Sequence, residues 1–445
     1  MDFVPHTTSE RDHMLGAVGL RDPQELFDSI PRSLRASGLG AIPPGRSEDE
    51  VLSAIGELAG HNRTCDDLVC FLGAGCYDHY VPSVVWALAG RAEFATSYTP
   101  YQPELSQGVL QATFEYQSLM CEITGLEASN ASMYDGASAA AEAVTMAVEA
   151  TGRMGVAVAC NVSPRMGAVL RTYGRARGWR FVDVPTPDGV MTTQHAQDCL
   201  GESVAALVVS QPSFYGTIED PGPLAEAAHR AGAWLVASFD PIAAGVLEPP
   251  GRLGADVVVG EGQALGSHMS FGGPAFGFLA CRMEAVRRMP GRVVGETLDV
   301  NGRRAFVLTL QAREQHIRRE KAGSNICSNQ ALNAIAGAIY LTWLGPRGLE
   351  EMARMCVLKA KYAADRLTEV KGVRLAHPRA GHFKEFLLRL PADTTKVTEG
   401  LAHRGFLGGL PVGEDGLLVA VTERRTRGQI DAFAHALGEV LGEVS

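Results

Sequence analysis

Apolar positions along the chain fall into two alternating periods. LSQGVLQATFEYQSLMCEITG, over 105–125, carries apolar residues at helical spacing and predicts one long, largely buried helix. SAAAEAVTMAVEATG predicts a second. Beyond it, short apolar runs alternate with helical ones: VAVAC, RMGAVLRTYGRARG, FVDVP, ALVVSQ, PLAEAAHRAG, WLVASFD, ADVVVG and FGFLAC. Fully apolar strands interleaved with helices are the pattern of a parallel sheet covered on both faces. Near residue 326 the pattern changes. NQALNAIAGAIYLTWLG and GLEEMARMCVLKAKYAADRLTEV read as long helices, followed by shorter strands in FLLRLP and GLLVAVTE. Before residue 70 there are only short amphipathic helices. SERDHMLGAVGL starts at a candidate cap in Ser9, PQELFDSIP is a second, and SEDEVLSAIGELAGHN follows the break at Pro43, Pro44 and Gly45. The predicted organisation is a helical arm (1–70), a large α/β domain (71–325) and a small C-terminal α+β domain (326–445).

Composition narrows the function. A chain of 445 residues with 46% hydrophobic content buries a large core. Its formal net charge of −10 argues against nucleic acid or an anionic membrane as partner. No apolar run reaches the ~18 residues of a membrane span. MDFVPHTTSERDHM lacks a basic segment followed by an apolar one, which favours the cytoplasm. Nine scattered cysteines form no CxxC pair. Cys65, Cys70 and Cys76 lie near His61 and His79 in sequence, but the spacing is not that of a zinc site, and reduced thiols with no metal are the reading.

GADVVVGEGQALGSHMSFGGPAFGFLA, from Gly254, predicts a strand, a glycine-rich loop and a second strand. Upstream, WLVASFDP ends an apolar strand at Asp240. Enzymes that use pyridoxal phosphate often pair the ring nitrogen with an Asp at such a strand end, and carry the cofactor on a lysine in such a loop. This loop offers Gln263, Ser267 and His268 but no lysine. The chain's lysines are Lys321, Lys359, Lys361, Lys371, Lys384 and Lys396. MYDGASAAAEA turns through Asp135 and Gly136 into an alanine-rich helix, either an anion cradle or a plain capped helix start. Asp240 equally reads as a turn residue before Pro241. FATSYTPYQPELSQG sets Tyr98, Tyr101, Gln102 and Glu104 in a loop stiffened by Pro100 and Pro103. That suits the wall of a site, a subunit contact or a packed surface loop. QAREQHIRREKAGSNICSNQAL concentrates Arg313, His316, Arg318, Arg319 and Lys321. It reads as a solvated helical face, or as a cationic wall for a carboxylate, phosphate or acidic partner.

Taken together, FLGAGCYDHYVPSVV, SYTPYQPELSQGVLQATFEYQSLMCEITGLEASNASMYDGASAAAEA, QPSFYGTIED and REQHIRREKAGSNICSNQAL resemble the glycine cleavage system P-protein, glycine dehydrogenase (decarboxylating). The resemblance is to its N-terminal half, a separate alpha subunit in many bacteria, and covers essentially the whole chain. It implies a pyridoxal-phosphate-dependent transferase fold of type I. It places the cofactor lysine in the C-terminal half or beta subunit, so that Asp135, Gly136, Asp240 and Gln263 become remnant cofactor positions and this chain carries no covalent pyridoxal phosphate. The implied reaction decarboxylates glycine on the beta subunit and passes the aminomethyl group to the lipoyl arm of the H-protein. No residue of this chain alone is then catalytic. Tyr98, Tyr101, Gln102 and Glu104 would line the partner's site, and His316, Arg318 and Arg319 would contact an anion or a partner. A heterotetramer is implied. Two positions depart from the family pattern: Ser163 where His is usual, and Gly323 where Thr is usual. A pure scaffold for the beta subunit, and an independent enzyme using Lys321, are the competing readings.

Overall fold

The computed structural model describes residues 6–36, 40 and 42–444. The first five residues, part of the stretch read for a targeting signal, lie outside it. Two compact units divide between Arg63 and Thr64. The first holds α1 (Thr8–Ala17) and α2 (Glu48–Ala59). Each begins with a capping box, Thr7 with Glu10 and Ser47 with Glu50, so two orphan amides are satisfied at each start. Thr7, not Ser9, is the cap of α1: its hydroxyl accepts the Glu10 amide while Glu10 reaches back to the Thr7 amide. PQELFDSIP forms only a five-residue 3-10 turn, Pro23–Phe27.

The second unit is built on the alternation read from the sequence. α3 (Gln107–Thr124) leads to β1 (Ala128–Ser129), and α4 (Gly136–Thr151) to β2 (Gly155–Ala159). α5 (Pro164–Arg177), β3 (Arg180–Val184) and β4 (Val204–Gln211) follow. Next come α6 (Pro221–Arg230), β5 (Trp234–Phe239), β6 (Val257–Glu261) and β7 (Gly277–Cys281). The seven strands form one sheet in the order β1-β7-β6-β5-β4-β2-β3. β3, β2, β4, β5 and β6 pair parallel, while β7 and β1 add antiparallel. Every residue of β2, β4 and β7 is buried, which is why these segments read as apolar runs rather than alternations.

The sequence did not disclose the antiparallel hairpin of β8 (Val293–Leu298) and β9 (Arg304–Thr309), whose tip is exposed. The charge run after it is no helical face. Gln311–Arg313 and Arg319–Lys321 are 3-10 turns flanking a single turn at Gln315–Arg318, with Leu310 and Arg319 at positive φ. The two long helices form α7 (Ala331–Thr368), bent where Gly345 takes φ +61 before Pro346. β10 (Arg374–Leu375), β11 (Glu385–Arg389), β12 (Leu410–Val412) and β13 (Gly416–Ala420) make a second sheet, ordered β10-β11-β13-β12. α8 (Thr394–His403) and α9 (Arg427–Val444) complete its core with Phe71, Phe386, Leu388 and Phe433. Among the described residues, no helix is long and apolar enough to cross a membrane.

Candidate functional site

β5 and β6 run parallel, so Asp240 and the loop from Gly262 leave the same edge of the sheet, the edge where α/β folds hold their ligands. The start of α4 presses against it. A Cβ on Gly136 would lie 2.9 Å from the Glu261 amide nitrogen, so only glycine lets the helix approach this closely. The amides of this start are already taken: Gly136 N–H donates to Glu261 Oε2 at 3.0 Å and Ser138 N–H to Asp135 Oδ1 at 2.8 Å. Burial pushes the Glu261 carboxyl up to about 7. Asp135 thus acts as a helix cap.

Gln263, in the lysine-less loop, is buried and fully engaged. Its Oε1 accepts the Tyr77 amide at 2.8 Å, and its Nε2 donates to the carbonyls of Tyr77 and Ser267 at 3.1 and 2.9 Å. Asp240 accepts the Ile242 amide through Oδ1 at 3.0 Å, the turn its position before Pro241 predicts. Its other oxygen, Oδ2, lies 2.7 Å from the ammonium of Lys384. Lys384 leads into β11, and its side chain is only 2% exposed. The same nitrogen is 3.0 Å from His79 Nε2 and 3.6 Å from the centre of the Tyr77 ring.

A shell of polar groups fixes these neighbours. His79 Nδ1 meets Glu423 Oε2 at 2.6 Å, and Glu423 Oε1 accepts the Tyr80 amide at 2.7 Å. Burial, then the Lys384 charge, holds the His79 ring below its ordinary pKa. The carboxylate of Glu385 accepts the Ala74 amide at 2.5 Å and the Tyr77 hydroxyl at 2.7 Å; burial pushes it up to about 7. His79, Cys356 and Glu423 hold potential metal-ligand atoms within 4.8 Å of one another, but both His79 nitrogens are already engaged.

A second cluster surrounds Arg292, which the sequence reading missed. Its guanidinium is buried against the Glu314 carboxylate. It donates to the Tyr101 hydroxyl at 2.8 Å and to Cys327 Sγ at 3.1 Å, and its Nη1 lies 3.5 Å from His316 Nδ1. Thr99 bonds to Ser328 and Ser132 to Asn329, so the tyrosine loop and the charge-run loop are tied together. Tyr98, Pro100, Val109, Arg292, Ser328 and Leu332 help to line a narrow cleft of about 30 Å³. Tyr98 is 76% and Tyr101 54% exposed. Gln102, Glu104, His316 and Arg318 are exposed as well. Arg319 instead lines a polar cavity of about 310 Å³ with Glu142, Tyr173, Arg177, Ser324 and Asn325. Arg292 Nε and Glu314 Oε1 are buried without a hydrogen-bond partner among the described residues. The only sequence signal for Arg292 was a lone basic residue in the apolar run MPGRVVG.

Residues 1–437 match the family described as Glycine cleavage system P-protein. A probable glycine dehydrogenase (decarboxylating) subunit 1 from Geotalea daltonii is 47% identical over 98% of this chain and 99% of its own length. The corresponding protein from Thermomicrobium roseum is 48% identical over 99% of each. A crystal structure of glycine decarboxylase (P-protein) of the glycine cleavage system, in inhibitor-bound form, superposes with a TM-score of 0.90 at 50% identity, covering 99% of this chain and 100% of that one. A Burkholderia pseudomallei sphingosine-1-phosphate lyase, 16% identical, superposes at 0.68 over 93% of this chain and 95% of its own, and shares the fold alone. The chain therefore belongs to the glycine cleavage system P-protein family.

Proposed function

We propose that this chain is the alpha subunit of a glycine decarboxylase, the half that does not carry pyridoxal phosphate. A beta subunit supplies the cofactor lysine, and the complex decarboxylates glycine and delivers the aminomethyl group to the lipoyl arm of the H-protein in the cytoplasm. The cofactor would supply an electron sink for decarboxylation. The residues of this chain do not fit it: Gln263 stands where the lysine is needed, Lys384 sits on Asp240, and carboxylates take the amides of the α4 start. What this chain contributes is a surface, not a cofactor site of its own.

The observation that carries the reading is the face made by Tyr98, Tyr101, Gln102 and Glu104. It is exposed in this chain, yet at Tyr101 it is held from behind by Arg292, itself paired with the buried Glu314. Rigid aromatic and polar groups held facing outward are what a wall for another subunit's site requires. Tyr101 would present its hydroxyl, polarised by Arg292, while His316 edges its ring at 6.3 Å between centroids.

The test is turnover by the alpha–beta complex with Tyr98→Phe and Tyr101→Phe. Both variants are expected to assemble with normal cofactor content, and at least one to decarboxylate glycine tenfold or more slowly, about 1.4 kcal/mol of transition-state stabilisation. Rates within twofold of the parent for both would sink the catalytic wall and leave a scaffold for the beta subunit.

A further inference from the structure

We propose that Lys384 is an internal replacement for the cofactor's ring nitrogen, so that the remnant pocket at Asp240 is a primary-ammonium site which the protein fills with its own side chain. The inference rests on the reading of this chain as the half without pyridoxal phosphate. In fold relatives that use the cofactor, an Asp at this strand end meets a protonated pyridine nitrogen. Here the partner of Asp240 Oδ2 is the Lys384 ammonium at 2.7 Å.

The surroundings are built for an ammonium rather than a ring. An ammonium has three N–H donors and no acceptor. One points to Asp240, one to His79 Nε2 at 3.0 Å, and the third has the face of Tyr77, whose centre is 3.6 Å away. His79 can accept at Nε2 only as a neutral ring carrying its proton on Nδ1, and Glu423 at 2.6 Å accepts that proton's hydrogen bond. The lowered pKa of His79 agrees with this tautomer. A pyridinium has a single N–H and would leave the His79 acceptor unused. Lys384 also joins the two sheets. Asp240 closes β5 of the large sheet, and Lys384 and Glu385 open β11 of the small one. The pair acts as a lock as well as a filling.

The experiment uses the full chain and reads its unfolding equilibrium. Removing one partner of a buried ion pair leaves an uncompensated charge, so Lys384→Ala is expected to raise the unfolding constant by about 100-fold or more. Lys384→Ala removes the atoms of a propylammonium ion. Added n-propylammonium should restore most of the loss, saturably, whereas n-propanol and tetramethylammonium should not. If Lys384→Ala does not fold, Lys384→Met keeps the stem and serves instead. Adding Asp240→Asn to Lys384→Met should then recover at least tenfold of the unfolding constant, because it removes the orphaned carboxylate. Absence of n-propylammonium rescue in a folded Lys384→Ala chain overturns the proposal. So does a double variant no more stable than Lys384→Met, or a pyridoxyl group trapped by borohydride on Lys384. The parent reading fails separately, on glycine decarboxylation by the isolated chain, which the ion-pair measurements do not register.

Discussion

Glu385 is a residue whose ionisation the fold opposes. Its carboxyl is buried, and burial raises it from 4.5 to about 7 against the Ala74 and Tyr77 bonds. A carboxyl raised in the folded state binds its proton more tightly there than in the unfolded chain. Its stabilisation is complete below the unfolded value and is lost as pH rises through the folded one. Stability should therefore fall between about pH 4.5 and 7, by about 3 kcal/mol for a shift of this size. Glu219, buried and likewise raised to about 7, adds in the same direction. Glu385→Gln mimics the protonated form, so its melting temperature should depend less on pH across this window and exceed that of the parent at pH 8. Parallel curves for the two proteins would exclude the assignment. Arg292 and Glu314 form a buried charge pair. Glu314→Gln leaves Arg292 without its counter-ion and should cost about 3–5 kcal/mol by denaturant unfolding. A loss under about 1 kcal/mol, the range of an exposed pair, would show that the site is wetter than the structure has it.

Among the elements, α4 shows how packing decides chemistry. Its sequence, GASAAAEAVTMAVEAT, supplies small residues that allow it to lie flat on the strands, and eleven of its sixteen residues are buried. Its N-terminal amides point at the strand ends, where a helix favours an anion. The anions that took the place are the protein's own Asp135 and Glu261. Gly136→Ala would drive a methyl group to within 2.9 Å of the Glu261 nitrogen and 3.0 Å of the Gly260 carbonyl carbon. These are backbone atoms of one strand and cannot rotate away as a side chain would, so overpacking of about 1–3 kcal/mol is expected. Gly167→Ala, at a helix glycine with open space around its Cβ, is the control and should be neutral or slightly stabilising.

For the molecule as a whole, the lysine-less loop, the Asp240–Lys384 pair and the occupied helix start are separate obstacles to one cofactor. Restoring a single element should therefore fail. Gln263→Lys is expected to give no glycine–bicarbonate exchange by the isolated chain and no visible absorption band with pyridoxal phosphate. An amine alone lacks the ring partner and the phosphate donors, and a site must be held within about 0.5 Å of productive geometry. Exchange above background by that variant would mean that Lys384 and Glu261 yield readily to the cofactor, and that the missing amine was the sole obstacle.

The sequence by itself determined the parallel sheet, because strands buried on both faces must be apolar throughout and therefore announce themselves in β2, β4, β5 and β6. It also determined that no lysine follows Asp240 within the loop, and its long motifs identified the family. The short β1, the β8–β9 hairpin and the irregular loop after Leu310 were not legible. β1 is two buried residues, too short to show a period, the hairpin's outer half is exposed and unpatterned, and positive φ at Leu310 and Arg319 follows from contacts rather than local preference. Only the tertiary structure decided what meets Asp240. Lys384 is one of six lysines, 305 positions from His79, and it leads into a different sheet from the one that Asp240 follows. Arg292 likewise lies 191 positions from the Tyr101 hydroxyl it holds. Burial follows periodicity and is encoded locally, whereas the pairing of buried charges depends on how distant elements close on one another.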